Sequence, residues 1–318
     1  MPTDPDNAPA PDDGPEPVDR PRRRWLPAAA ALLALAVLAV AAAPVIVRGH
    51  GRSTGAAGRQ EPAVHGPDPT RSARNPLGDL ARHLADGPYD RQHGRYTYVH
   101  THSWALDTTA TAHRTTSRIA VFDEQVWFAA DTSGRDQLAR LPDQPAGGPL
   151  HWSTPPPGAG TIEDFLAGEG TRSLPTPPSA DPDTLAAQLN TIQPGANGPQ
   201  SVVRAIADIY APPPPVRAAM LHLLAGTGDV VYRGAVTDRA GRPGVEVSVD
   251  SDVRDTLIFD GHTGVLLAFE AVLLTQPSGL DIGPGAIRES VLYLDYGYTD
   301  QLGVPAATWL PGGPPRLA

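Results

Sequence analysis

The chain has 318 residues, of which 40% are hydrophobic, 32 are Gly, 37 are Pro and none is Cys. Its hydrophobic content excludes a fully disordered chain, and the lack of Cys excludes disulfides, thiolate metal sites, thiol nucleophiles and a lipidated Cys. The net charge of -10 argues against a nucleic-acid partner, because the phosphates would repel a chain of that sign.

The first 24 residues differ in composition from the rest of the chain. Residues 1–19 hold six acidic residues, six Pro and no Arg, and residues 20–24 hold four Arg. A segment this polar and this rich in Pro cannot bury enough apolar surface to offset the entropy lost on ordering. We therefore expect residues 1–24 to be a disordered acidic tail.

Residues 25–47 are a continuous stretch of 23 residues without a charged side chain. As a helix the stretch is about 35 Å long, which is enough to cross a hydrocarbon layer of about 30 Å. Because the Arg cluster precedes this predicted transmembrane helix, the positive-inside rule places the tail in the cytoplasm. The sequence predicts a single-pass plasma-membrane protein with a cytoplasmic N-terminus and an extracytoplasmic C-terminal domain.

Two other interpretations of this stretch stay open. Ala41–Ala43 is a small-residue site at which a signal peptidase would cleave, although Pro44 would then follow the cut. Arg22–Leu26 is similar to a twin-arginine export motif, with Trp25 where such motifs prefer Phe. All three interpretations place residues 48–318 outside the cytoplasm.

The exported part begins with a flexible stalk at residues 48–70, which is rich in Gly and shows no apolar periodicity. Helical spacing of apolar residues predicts a short helix within residues 75–86. Alternation from Tyr96 to Leu106 predicts a strand, and two more strands are expected at 108–121 and 126–129, separated by a turn at Asp123-Glu124. Residues 141–182, which hold several runs of Pro, are expected to form a long Pro-rich loop.

Three helices are predicted next. Asp181 and Pro182 supply a cap and a first helical position for a helix through Leu189, and apolar spacing predicts two more helices at 201–210 and 216–225. Strands follow at 230–236, 244–249, 256–259, 265–274 and 289–298, and three of the four connections between them, at 239–243, 260–264 and 277–285, contain Gly. This order, without β-α-β alternation, predicts an α+β domain at 71–300 with an antiparallel sheet and helices packed on one face. Residues 301–318 are expected to be a C-terminal tail.

Several segments of this domain resemble known proteins. Val230–Val245, Thr256–Leu267, Tyr96–Val99 and Val126–Asp131 resemble an actinobacterial family of single-pass membrane proteins without an assigned activity. The Phe-Asp-x-x-Thr-Gly-x-Leu hairpin that begins at Phe259 is also similar to hairpins of the RseB and LolA/LppX lipoprotein-binding group. The second resemblance implies a curved sheet that wraps around helices and holds acyl chains or peptide segments. LolA and LppX are soluble or lipid-anchored, whereas this chain has no Cys and a predicted membrane helix, so a tethered sensor or acceptor is favoured over a shuttling carrier.

Four aromatic residues are the candidate ligand-binding residues. Tyr96, Tyr98, Trp104 and Trp127 form the densest aromatic group of the sequence, and such side chains line apolar ligand grooves. The alternative is that they pack in the core.

Two groups of metal-ligating residues are weighed, and neither predicts a metal. His100 and His102 lie about 6.5–7 Å apart on one strand face, where His113 from the next strand could join them as a zinc site, but no acidic residue is near them in sequence. Asp250, Asp252 and Asp255 lack the Gly and the distal Glu of a calcium loop, and their spacing is typical of a solvated turn.

No nucleophile elbow, Ser-x-x-Lys, His-Glu-x-x-His or phosphate-binding Gly loop occurs in the sequence, so neither an enzyme class nor a cofactor is predicted. The sequence favours a tethered, non-enzymatic protein that binds or senses a lipid, a lipopeptide or an envelope regulatory protein. One alternative is an interaction scaffold that acts through the tail and the Pro-rich loop. The other is a zinc-dependent hydrolase that uses the three His residues.

Overall fold

The computed structural model describes residues 74–110, 115–156, 158–170, 174, 176–193, 198–280 and 282–306. The predicted tail, transmembrane helix and stalk lie outside these residues. Within them, no helix is both long enough and apolar enough to cross a membrane.

The described residues form nine strands and four α-helices. After a first helix come strands, then helices, then strands, as the sequence predicts. The first half contains α1 (Arg74–Arg82), a short 3-10 helix (Pro88–Arg91), β1 (Tyr96–Ala110), β2 (Thr115–Ala129), β3 (Gly134–Pro145) and β4 (Thr161–Phe165). The helices α2 (Pro182–Ile192), α3 (Pro199–Ala207) and α4 (Pro214–Gly226) follow. The last strands are β5 (Val231–Thr237), β6 (Pro243–Asp250), β7 (Val253–Phe259), β8 (Leu266–Leu273) and β9 (Ile287–Thr299).

All nine strands belong to one antiparallel sheet with the order β4-β3-β2-β1-β9-β8-β7-β6-β5. Each half of the sheet is a meander, and the pairing of β1 with β9 joins the two halves. A register shift in β9 opposite His100 and Thr101 marks a bulge in this central pair. The predicted α+β class and the antiparallel sheet are confirmed.

The helices pack on one face of the sheet, as predicted. Their buried side chains include Leu189, Ile206 and Leu221, and they form one core with sheet residues such as Phe259 and Tyr293. Asp181 caps α2, because its carboxylate accepts a hydrogen bond from the Thr184 amide at 2.8 Å. The amphipathic spacing of the helices therefore decides which side of each helix is buried.

The other face of the sheet carries a second core. It contains Trp104, Val121 and Leu292 and is covered by Leu150 and Trp152 of the loop after β3. The predicted Pro-rich loop at 141–182 thus contains the end of β3, the segment that covers this core, and all of β4. Both faces of the central sheet are therefore buried: in β1, Trp104 belongs to this second core and Val99 to the core under the helices.

The predicted turn at Asp123-Glu124 is wrong. β2 runs without interruption through both residues and pairs with β1 along its whole length, from Ala129 opposite Tyr96 to Thr115 opposite Ala110. Two acidic residues are tolerated inside the strand because the side chains point to opposite faces. Asp123 meets histidines of β1 on one face, and Glu124 lines a cavity on the other.

A candidate ligand cavity

A cavity of about 490 Å³ lies on the helix-bearing face of the sheet. Its floor is made by residues of β1 and β2 that share this face because they are paired directly across the ladder. Thr97 is opposite Phe128, Val99 is opposite Val126, and Thr101 is opposite Glu124. The antiparallel register therefore places three side chains from each strand on the floor of the cavity.

Two irregular segments form the opposite wall. One contains Leu174 and residues 176–178, and the other is the connection between α3 and α4 at residues 208–213. Ala211 in the second segment has a φ of 46°, which is unfavourable for a residue with a Cβ. Such local strain is typical of segments that shape functional sites.

The lining is largely apolar, and its ionisable groups are few. Along the floor and the opposite wall, Val99, Val126, Phe128 and Ile209 contribute apolar side chains. The acidic lining residues are Glu124 and Asp208, and the basic one is Arg95. This combination is that of a binding pocket for an apolar molecule with few polar contacts.

Burial changes the charge state of the two acids. Burial, and then the charge of Asp136, raise the pKa of Glu124 to about 8, against a smaller opposing effect of a hydrogen bond with Thr101. Burial, and then the charge of Glu289, raise the pKa of Asp208 to about 7. Both carboxyl groups therefore hold their protons to a much higher pH than carboxyl groups in water do.

A second layer of acids lies behind this pair. Asp136 is paired with Val126 across the β2–β3 ladder, and burial followed by the charge of Glu163 raises its pKa to about 7. Within the described residues, its Oδ1 atom is buried without a hydrogen-bond partner. Burial also raises the pKa of Glu289 in β9, against the opposing charges of Arg288 and Arg204. Acids therefore lie next to both lining carboxyl groups.

The rim of the cavity lies beside Gly94 and Arg95, just before β1. The Arg95 side chain is 60% exposed, lies 3.8 Å from Asp131 and packs over the Tyr96 ring. A smaller hollow of about 350 Å³ adjoins this rim and shares Gly94, Pro213 and Tyr298 with the cavity. The exposed end of the cavity is thus marked by a cation, in contrast to its inner end.

None of the four aromatic residues predicted to bind a ligand lines the cavity. Tyr96, Tyr98 and Trp127 lie together on the opposite face of the sheet, where Ala306 of the C-terminal tail covers them. The Trp127 indole donates a hydrogen bond to the Val304 carbonyl at 2.8 Å. Trp104 belongs to the second core instead. Ligand binding by these four residues stays a prediction, separate from the cavity.

The two histidines weighed as zinc ligands, His100 and His102, both contact Asp123, which the sequence did not indicate as their partner. His100 Nε2 lies 3.0 Å from Asp123 Oδ1, and His102 Nδ1 lies 3.3 Å from Asp123 Oδ2. The His102 ring is fully buried, stacks on Trp152 at 4.2 Å between centroids, and has no partner for Nε2. His113 lies outside the described residues.

Metal binding finds no support in the described part of the chain, where no three His, Asp or Glu side chains are placed to hold an ion. The acids weighed for calcium are engaged elsewhere. Asp250 pairs with Arg254 and Arg233, and the buried Asp255 pairs with Arg204 at 2.7 Å.

Sequence reasoning missed Glu124, Asp208 and Arg95. Continuing the alternation of β2 through the two acids would have placed Glu124 on the same face as Val126. Asp208 carries no such signal, because it follows the last residue of α3 and only the path of the chain brings it to the cavity.

The sequence matches no protein-family model and no curated protein. Among solved structures, a chain of MucB in complex with MucA(peri) is similar at 15% identity and a TM-score of 0.28, over 73% of this chain and 57% of that one. A chain of the Pseudomonas aeruginosa MucA/MucB complex is similar at 15% identity and a TM-score of 0.29, over 73% and 58%. A LolA superfamily protein from Nitrosomonas europaea is similar at 12% identity and a TM-score of 0.17, over 73% and 96%.

The chain spans less than two thirds of the first two of these structures. The resemblance to the RseB and LolA/LppX group stays a prediction. The resemblance to an actinobacterial family of single-pass membrane proteins stays a prediction.

Proposed function

We propose that the chain is a non-enzymatic binding or sensor protein that holds a hydrophobic ligand between its sheet and residues 174, 176–178 and 208–213. The observation that supports this is the cavity itself. Its volume of about 490 Å³ lies within the range of about 300–1,000 Å³ that is usual for small-molecule sites.

An apolar molecule in this cavity would cover the side chains of Val99, Val126 and Ile209, which line it. The removal of apolar surface from water supplies the driving force for binding.

The test is to identify what co-purifies with the full-length chain. Purified protein is extracted with organic solvent and the extract analysed by mass spectrometry, beside a Val126→Trp variant in which the larger side chain fills the cavity. We expect a lipid, a lipopeptide or another apolar molecule in the wild-type extract and much less of it in the variant. Equal amounts from both proteins, together with equal binding of a neutral apolar dye, would contradict the proposal.

We also propose that the domain is extracytoplasmic and tethered to the plasma membrane by residues 25–47. The length of that uncharged stretch and the Arg cluster before it support this arrangement. Protease treatment of intact cells should degrade the domain and spare the N-terminal tail, whereas recovery of the whole domain in the soluble fraction would contradict the tether.

The predicted scaffold role is separated from ligand binding by deletion of residues 1–19, which leaves the Arg cluster at 20–24 in place. A protein that binds its ligand in the cavity should keep that ligand after the deletion. A scaffold that acts through its tail should instead lose its partner, an envelope regulatory protein in the prediction, without any change in the extracted ligand.

A further inference from the structure

The ionisable groups of the cavity are separated along its length by sign of charge. Glu124 is paired with Thr101, six residues along β1 from Arg95, which corresponds to about 20 Å of strand. Asp208 lines the cavity as well, whereas Arg95 is exposed at the rim. A bound molecule therefore meets two acids at its inner end and a cation at its outer end.

The acids of the inner end have few partners. Glu124 has a hydrogen bond with Thr101, and Asp208 has no hydrogen bond or ion pair from its side chain within the described residues. The groups that face them are themselves acidic or neutral: Asp136 on β3 beside Glu124, Glu289 on β9 beside Asp208, and Tyr210 beside both. No described arginine forms an ion pair with either carboxyl group.

We propose that the ligand is an apolar chain with a protonated amine or a similar cationic head, bound with the head beside Glu124 and Asp208. Its apolar chain lies along Val99 and Val126 and extends toward Arg95. This inference rests on the proposed function, because it assigns the ligand class of the same cavity.

Electrostatics select this head group over others of the same size. A cation in an apolar cavity loses its hydration, and only charge-assisted hydrogen bonds to carboxylates offset that loss. Once Glu124 and Asp208 have lost their protons, an anionic head would be repelled by their charge, and a neutral head would gain only ordinary hydrogen bonds. In the reverse orientation the amine would lie at the rim, where the Arg95 guanidinium would repel it. The same charges therefore also set the orientation of the bound molecule.

The experiment compares three ligands with one tail. The neutral dye N-phenyl-1-naphthylamine is bound to the full-length chain and displaced by dodecylammonium, dodecanol or dodecanoate at about pH 8.5, where Glu124 and Asp208 have lost their protons. The Val126→Trp variant serves as the control that subtracts partition of the dye into any detergent. We expect dodecylammonium to displace the dye at a concentration about tenfold lower than dodecanol, and dodecanoate to be weaker than both.

Two variants connect this order to the named residues. Glu124→Gln and Asp208→Asn should each lower the affinity for dodecylammonium about tenfold and leave that for dodecanol within about threefold. Asp183→Asn, on the exposed first turn of α2, should change neither. The unchanged affinity for dodecanol shows that the cavity of each variant is still folded.

The outcomes distinguish the two proposals. Equal affinities for the three heads, or amide variants that bind the amine as wild type does, overturn the cationic head and leave a hydrophobic-ligand protein. A dye that binds wild type and Val126→Trp equally overturns both proposals.

Discussion

The buried ion pair between Arg217 and Asp90 provides a sharp test of how the helical layer is held to the cavity. The Arg217 side chain has no exposed surface, and its guanidinium donates to both carboxylate oxygens of Asp90 at 2.7 Å. It also donates to the carbonyls of Thr263 and Pro212 and to the Tyr89 hydroxyl. One side chain of α4 thereby joins the 3-10 helix, the β7–β8 turn and the wall of the cavity.

Asp90→Asn removes the charge that compensates this buried guanidinium. Breaking a buried pair in this way costs about 3–5 kcal/mol, because the remaining charge is desolvated without a counter-ion. The amide introduced by this substitution would retain one oxygen acceptor, so we expect a loss near the lower limit, about 3 kcal/mol in the free energy of unfolding. That corresponds to roughly a hundredfold increase in the unfolded fraction.

The assay is urea unfolding of the full-length chain, followed by tryptophan fluorescence, with Asp86→Asn as the matched control. Asp86 pairs with Arg91 at 2.9 Å, but those side chains are 59% and 83% exposed, so the loss should stay below about 1 kcal/mol. In a double-mutant cycle with Arg217→Met, the double variant should lose about 2–3 kcal/mol less than the sum of the losses of the two single variants. Equal losses in Asp90→Asn and Asp86→Asn would refute the reasoning, since burial would then have no effect.

Three further predictions concern the cavity, the turn beside it and the histidine cluster. Affinity for dodecylammonium should rise from about pH 6 to about pH 8.5 in displacement assays. Glu124 and Asp208 must both lose a proton to pair with the amine, and their raised pKa values place that loss in this range. An affinity that does not change with pH would contradict this. Gly264→Ala should cost well over about 1 kcal/mol in unfolding free energy, because φ is +64° and the new Cβ would lie 2.7 Å from Leu84. Gly279→Ala, where φ is +80° but the space around the new Cβ is open, should cost about 1 kcal/mol. Equal losses in the two variants would exclude the steric contribution. Burial raises the pKa of Asp123, but hydrogen bonds with His100 and His102 outweigh that effect and hold the pKa at about 2. The stabilisation from its charge is therefore present above about pH 4 and is lost as the pH falls through about 2. The stability difference between wild type and Asp123→Asn should shrink over that range, and a constant difference would show that the charge of Asp123 contributes nothing.

Local sequence signals were sufficient for most elements because their causes are local. Alternation placed β1, Gly-containing turns followed β5, β7 and β8, and the Asp181 cap began α2 where predicted. These features depend on side-chain period and backbone conformation over a few residues. The turn wrongly placed at Asp123 failed for the complementary reason: that acid is stabilised by histidines about twenty residues away.

The sequence by itself determined the charge, the absence of Cys, the succession of strands, helices and strands, and the aromatic character of one face of β1. Only the tertiary structure decided which face of β1 borders a cavity and which face lies under the C-terminal residues. Tyr96 and Thr97 are neighbours in the chain but lie on opposite faces of the sheet, and nothing in the alternation states which face the helices cover. That choice depends on long-range pairing of β1 with β9 and on where residues 208–213 cross the sheet, so the meeting of Glu124 with Asp208 becomes visible only in the folded chain.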